Sequence, residues 1–146
     1  MNDPFDLARF VAAQDEDATY ERAVAELRRG RKSSHWMWFV FPQLAGLGRS
    51  PTAVHYAISS VDEARAYLRH PVLGSRLVTC AEILADLSGR SAEQIFGVID
   101  AMKLHSSMTL YTLADPDEPA FAAVLDRYFG GRADEATLRL LEIAPR

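Results

Sequence analysis

The sequence predicts an all-α protein: a single compact domain spanning residues 1–146 and built from about seven to nine short helices. Three observations carry this. Apolar residues recur at i, i+3, i+4 and i+7 in most segments. Helix-capping residues and glycine or proline breaks stand between those segments. No alternating strand pattern of useful length occurs, and a chain of 146 residues suits one core.

Each element follows in order. Asp3-Pro4 is a cap and first-turn signal, with Leu7, Phe10 and Val11 at helical spacing behind it. A second helix runs from about Asp17 to Arg29, with Tyr20, Val24 and Leu27 as its apolar stripe and Gly30 as its stop. The segment HWMWFVF reads as a short buried helix capped by Ser33 or Ser34, since a lone strand would have no partner. Ser50-Pro51 opens a short helix through Ala57. Ser60 and Glu63 have capping-box spacing, so a helix starts there and runs to Arg69, where Pro71 breaks the pattern. A longer helix reaches about Leu87 with Leu73, Leu77, Cys80, Ala81 and Leu84 on one side. Ser91 and Gln94 repeat the capping spacing, and a helix from about Ile99 to Ala114 follows. After DPDEP comes a helix lined by Phe121, Val124, Leu125 and Tyr128. Asp134 caps the last, which carries Leu138, Leu141 and Ile143.

Composition narrows the function. A net charge of −4 argues against a general nucleic-acid binder, which carries a basic surplus. The single cysteine, Cys80, excludes an internal disulfide and fits a reducing cytoplasm. The opening NDPFDLARF has acids where a secretory leader needs a basic start and an apolar run, so no leader is expected. The apolar run WMWFVF is too short to span a membrane, so no membrane contact is expected. His35, His55, His70 and His105 lack zinc-ligand spacing, and neither a phosphate loop nor a nucleophile elbow is present; no metal and no cofactor are expected.

Two stretches stand out. In RKSSHWMWFVFPQ, Arg31 to Gln43, both tryptophans lie two residues apart. Between Leu27 and Val61 the chain has no Asp or Glu, but it has Arg28, Arg29, Arg31, Lys32 and Arg49. A positive field beside flat aromatic faces suits a small anionic ligand with a ring, such as a nucleotide: guanidinium groups grip phosphate and indoles stack on bases. The candidate ligand residues are Arg31, Lys32, His35, Trp36, Trp38, Gln43 and Arg49. Against this stands a plain core reading of the aromatics and a solvated helix end for the basic cluster.

The second stretch is DAMKLHSSMTLY, Asp100 to Tyr111. Among 16 basic residues only Lys32 and Lys103 are lysines. On a helix Asp100, Lys103 and Ser107 share a face, and the surrounding Val98, Ile99, Met102, Leu104 and Met108 imply burial on more than one side. A desolvated lysine can act as a nucleophile or an electrostatic stabiliser. The candidate catalytic set is Lys103, Asp100, Ser107 and His105. Asp100 and Lys103 equally well form a structural ion pair. A pocket between the segments around Trp36 and Lys103 is the leading expectation; a non-catalytic protein-interaction module using the Trp/Phe segment is the alternative.

HWMWFVFPQLAGLGRSPTAVHYAISSVDEARAYLRHPVLGSRL followed by IFGVIDAMKLHSSMTLY resembles an uncharacterised bacterial family of mainly helical single-domain proteins often labelled "calpastatin". The resemblance covers nearly the whole chain and implies an all-α fold. The label itself denotes a disordered inhibitor, whereas this composition forms a core. The layout of an aromatic, lysine-bearing segment, then EARAYLRHP, then IFG with a following Asp and Lys, is similar to the NADAR group of small helical proteins. That likeness implies a substrate class, ADP-ribose and related N-glycosidic compounds, and assigns no functional positions.

Overall fold

A computed structural model describes residues 3–142. Helix α1 is Ala8–Asp15, followed by a 3₁₀ turn at Glu16–Ala18 and α2 at Thr19–Arg29. Then come α3 (Met37–Val40), α4 (Pro51–His55), α5 (Val61–Arg69), α6 (Leu73–Asp86), α7 (Ala92–Phe96), α8 (Val98–Ala114), α9 (Pro119–Phe129) and α10 (Glu135–Leu140). The all-α expectation holds.

The capping residues act largely as their spacing predicts. Ser91 Oγ accepts from the Gln94 amide at 3.1 Å while Gln94 Oε1 accepts from the Ser91 amide at 2.8 Å, a full capping box. Ser50 caps α4 and Asp134 caps α10. Ser60 caps α5, but its box is half made. Glu63 turns instead to Ser59 and to Arg9, whose guanidinium it meets at 3.0 Å. The expected cap on the aromatic helix is absent: Trp36 stands at the N-cap of α3 with no side-chain cap, and Ser34 Oγ is turned to Glu26. Ile143 lies outside the described residues.

Four helices form the centre. α5 packs on α6, α6 on α9, α9 on α8 and α8 on α5, a closed ring of neighbours. Leu73, Leu77, Cys80, Ala81 and Leu84 of α6 meet Phe121 and Val124 of α9 and Leu104, Met108 and Tyr111 of α8 in one buried cluster. α1 and α2 cover α6 from outside, with α2 against it; α7 and α10 flank α8. The aromatic segment contributes Trp36, Met37, Val40 and Phe41 to the same core, all at most 2 % exposed.

Residues 43–58 form a loop fastened at its base. Ala45 donates to the Ile58 carbonyl at 2.8 Å and Ile58 to the Gln43 carbonyl at 2.9 Å, an isolated parallel bridge. The loop carries α4 and leans against the exposed start of α8. There the burial predicted for Val98, Ile99 and Met102 fails: they are 66 %, 71 % and 67 % exposed. The later turns of α8 are buried on most sides, with Leu104 and Ser106 to Tyr111 all buried. Among the described residues no helix is long and apolar enough to cross a membrane.

Candidate functional site

The site is built on a buried carboxylate. Glu26, 2 % exposed, accepts from the Ser33 amide at 2.7 Å, the Ser34 amide at 3.0 Å, Ser34 Oγ and Trp36 Nε1 at 2.9 Å. Burial alone raises such a carboxyl, but these donors outweigh it and hold Glu26 down at about 2. The Lys32 amide is bound to the Ile95 carbonyl at 2.8 Å, so the chain from 32 to 36 is tied to both α2 and α7.

This tether aims Lys32 at α8. Its ammonium donates to the Ser34 carbonyl at 2.6 Å, pairs with Asp100 Oδ2 at 3.0 Å and stands 5.2 Å from the Trp36 ring centre. Lys103 pairs with the other oxygen, Asp100 Oδ1, at 3.4 Å, and its ammonium stands 4.8 Å from the Trp38 ring centre. Both lysines of the chain therefore converge on one carboxylate, each over one of the two indoles. Two ammonium groups against one carboxylate leave one unit of positive charge. The side chains are 10 %, 20 % and 20 % exposed for Lys32, Asp100 and Lys103, so this charge is only partly screened.

Lys103 and Trp38 open into a cleft of about 430 Å³ between the 43–58 loop, the start of α8 and the start of α10. A volume of this size suits a small organic ligand. Leu47, Ile99 and Met102 give it apolar walls; Gln43, Arg49, Ser106 and Asp134 add polar groups. Gln43 Oε1 accepts from Ser106 Oγ at 2.9 Å, which orients the carboxamide. Gly48 makes the wall possible: a Cβ there would lie 2.5 Å from Ala53 Cβ and 3.2 Å from Gln43 Nε2.

Of the sequence-predicted ligand residues, the fold brings Trp38, Gln43 and Arg49 into this cleft, and Lys32 joins it through Asp100. Trp36 is displaced from the role of stacking surface: it is fully buried and held by Glu26. Arg31 and His35 are exposed and outside the cleft lining. Of the predicted catalytic residues, Lys103 lines the cleft and Asp100 pairs with it. Ser107 points into the core, 0 % exposed, with no hydrogen-bond partner for its Oγ among the described residues. His105 stacks on Phe129 at 4.1 Å and binds the Arg132 carbonyl at 2.8 Å, beside the cleft rather than lining it. Sequence reasoning assigned Asp134 a capping role alone and gave Ser106, Ile99 and Met102 no role in a site. For Asp134 the capping signal hid the second position, since nothing in its neighbours shows which side chains α8 brings near.

A larger apolar groove, about 720 Å³, lies between the N-terminal segment and α5, lined by Phe5, Leu7, Val11, Ala66, Arg69 and His70 among others. None of the predicted site residues reaches it. Among the described residues no cluster of His, Cys, Asp and Glu is arranged to hold a metal ion.

Comparison with known proteins gives a consistent picture. The family model described as "Protein of unknown function (DUF1810)" matches residues 4–141. The crystal structure of the conserved hypothetical protein Rv1873 from Mycobacterium tuberculosis, at 1.38 Å, is 54 % identical in sequence with a TM-score of 0.92, covering 97 % of this chain and 100 % of that one. No curated protein matches the chain.

Proposed function

We propose, for a chain that belongs to the DUF1810 family, that the Trp38–Lys103 cleft binds a small anionic ligand carrying a flat ring, of the phosphorylated ribose or nucleotide class. One observation supports this above the others: both lysines converge on Asp100 and leave a net positive charge beside an indole at the wall of a ligand-sized cleft. In this reading Lys103 and Arg49 meet the phosphate. The ring lies against Trp38 and the apolar Leu47, Ile99 and Met102.

The chemistry this arrangement supports is cleavage of an N-glycosidic bond, with water adding its hydroxyl to the anomeric carbon and its proton passing to the departing nitrogen. Lys103 serves as an electrostatic stabiliser. The ion pair with Asp100 argues against the nucleophile role, because a paired ammonium has no lone pair with which to attack. Asp100 is then a positioning residue, and Lys32 fixes Asp100 from the other side.

The test is the melting temperature of wild type and Lys103→Ala with AMP, NAD and ADP-ribose, followed by assay of base release. A ligand at a hundredfold excess over its Kd adds about 2.7 kcal/mol, a rise of several degrees. We expect that rise in the wild type, a smaller one in the variant and no turnover by the variant. Absence of any shift with all three compounds would refute the ligand reading.

A second reading, an interaction module without catalysis, draws on the exposed Val98, Ile99 and Met102. It shifts the contact surface from the Trp/Phe segment, most of which is core, to the start of α8. Under this reading no nucleotide quenches tryptophan emission; under the first, a nucleotide quenches Trp38.

A further inference from the structure

Asp134 lines the same cleft, and its two oxygens have different surroundings. Oδ2 is committed to α10: it accepts from the Thr137 amide at 3.0 Å and from Thr137 Oγ1 at 2.7 Å. Oδ1 accepts no hydrogen bond from the described residues. Its nearest charged or chargeable neighbour is His105 Nδ1 at 4.0 Å, beyond hydrogen-bond reach. Neither Lys103 nor Arg49 pairs with Asp134 among the described residues, although both share the cleft lining with it.

His105 Nδ1 makes no hydrogen bond to Oδ1 at this distance. A carbonyl can only accept, so the contact of Nε2 with the Arg132 carbonyl at 2.8 Å requires Nε2 to carry the proton. In the neutral ring Nδ1 is then a lone pair facing a carboxylate. The ring is further fixed by its parallel stack on Phe129, with planes 3° apart. Thr109 locks the arrangement from behind: its hydroxyl donates to the His105 carbonyl at 2.8 Å and accepts from the Asp134 amide at 2.9 Å. The result is a carboxylate with free acceptor capacity on Oδ1, carried by a residue that lines a cleft whose other charged lining residues, Arg49 and Lys103, are cationic.

We infer that Asp134 Oδ1 accepts hydrogen bonds from the sugar hydroxyls of the ligand and makes the cleft selective for ribose over 2-deoxyribose. This rests on the ligand class proposed above. A ligand reaching from Lys103 and Arg49 to Asp134 needs an anion at one end and O–H donors at the other, which a ribose phosphate has. A carboxylate oxygen with two lone pairs matches vicinal hydroxyls, the pairing an acidic residue makes with ribose in dinucleotide folds. A site built to bind a hydroxyl disfavours the analogue that lacks it, since its own acceptor is left unmatched.

The experiment is calorimetric titration of wild type and Asp134→Asn with AMP and 2′-deoxyadenosine monophosphate. Asn caps helices as well as Asp does, so the variant keeps the Thr137 contact, and its melting temperature checks this. We expect the wild type to bind AMP at least roughly tenfold more tightly than the deoxy compound, and Asp134→Asn to reduce the ratio to about threefold or less, since the Asn oxygen kept on Thr137 leaves an NH2 in place of Oδ1, which donates and cannot accept. Equal affinities in the wild type, or an unchanged ratio in the variant, would overturn the inference and leave the cleft reading standing. Binding of neither compound would overturn the inference, and the cleft reading falls with it where NAD and ADP-ribose also leave the melting temperature unchanged.

Discussion

Glu26 shows how one side chain can set a whole segment. Four donors from residues 33, 34 and 36 end on it, and they are what turns the chain from the basic end of α2 into the aromatic helix. Its folded value of about 2 lies below the ordinary 4.5. A depressed carboxyl stabilises the fold fully above the ordinary value and loses that contribution as pH falls through the folded one. Glu26 therefore contributes about 3 kcal/mol at neutral pH that disappears between roughly pH 4.5 and 2. Urea midpoints measured across that window should fall steeply in the wild type. Glu26→Gln should start lower and show a shallower slope, and parallel slopes would remove Glu26 from the acid response. Trp36 and Trp38 make the same point about position. They sit two residues apart, but only Trp36 can reach Glu26, and that bond places Trp36 in the core while Trp38 is half-buried beside Lys103.

Among the elements, α5 and α6 meet backbone to backbone at a glycine. Gly74, in the first turn of α6, lies against the end of α5: a Cβ there would stand 2.0 Å from the Leu68 carbonyl oxygen and 2.9 Å from its carbon. Neither is the end of a flexible side chain, so relief requires the helices to separate. Gly74→Ala should lose about 3 kcal/mol, near the upper end for overpacking, and roughly 8 °C in Tm. A variant melting with the wild type would show that the α5–α6 joint can shift freely. The 43–58 loop obeys a related constraint at Gly48, where the missing side chain lets α4 close on Gln43 and shapes the cleft wall. Its placement depends on the Leu44–Ile58 bridge, since α4 spans only Pro51–His55 and is too short to hold itself.

At the scale of the molecule, Cys80 is buried on α6, with Tyr20 of α2 beside its thiol. Burial leaves the residue 0 % exposed and pushes its thiol up to about 12. A thiol reagent attacks the thiolate, so labelling requires the packing around Cys80, α2 included, to open. Cys80 should react at least ~100-fold more slowly in the native protein than in urea, at a rate that rises as global stability falls. Gly74→Ala should accelerate it. Fast labelling at full nativeness would mean that this packing opens locally, as by α2 lifting from α6.

The sequence by itself determined the helical class, most helix starts and the composition of the core. These are local properties: a Ser, Asp or Pro at a helix start acts on amides within four residues, and apolar spacing marks a buried face whatever covers it. It also singled out Lys103, Asp100, Lys32 and Trp38 through rarity and clustering. Tertiary structure decided the rest. Lys32 and Asp100 are 68 positions apart, and their pairing depends on how Glu26 and Ile95 hold residues 32 to 36. The start of α8 looks like core on every side from its composition, but its Val98, Ile99 and Met102 are left exposed, and an apolar side chain carries no mark of whether a neighbour arrives. Asp134 reads as a cap because that bond spans three residues; its place in the cleft depends on α8, the 43–58 loop and α10 meeting, which only the packing of the whole chain brings about.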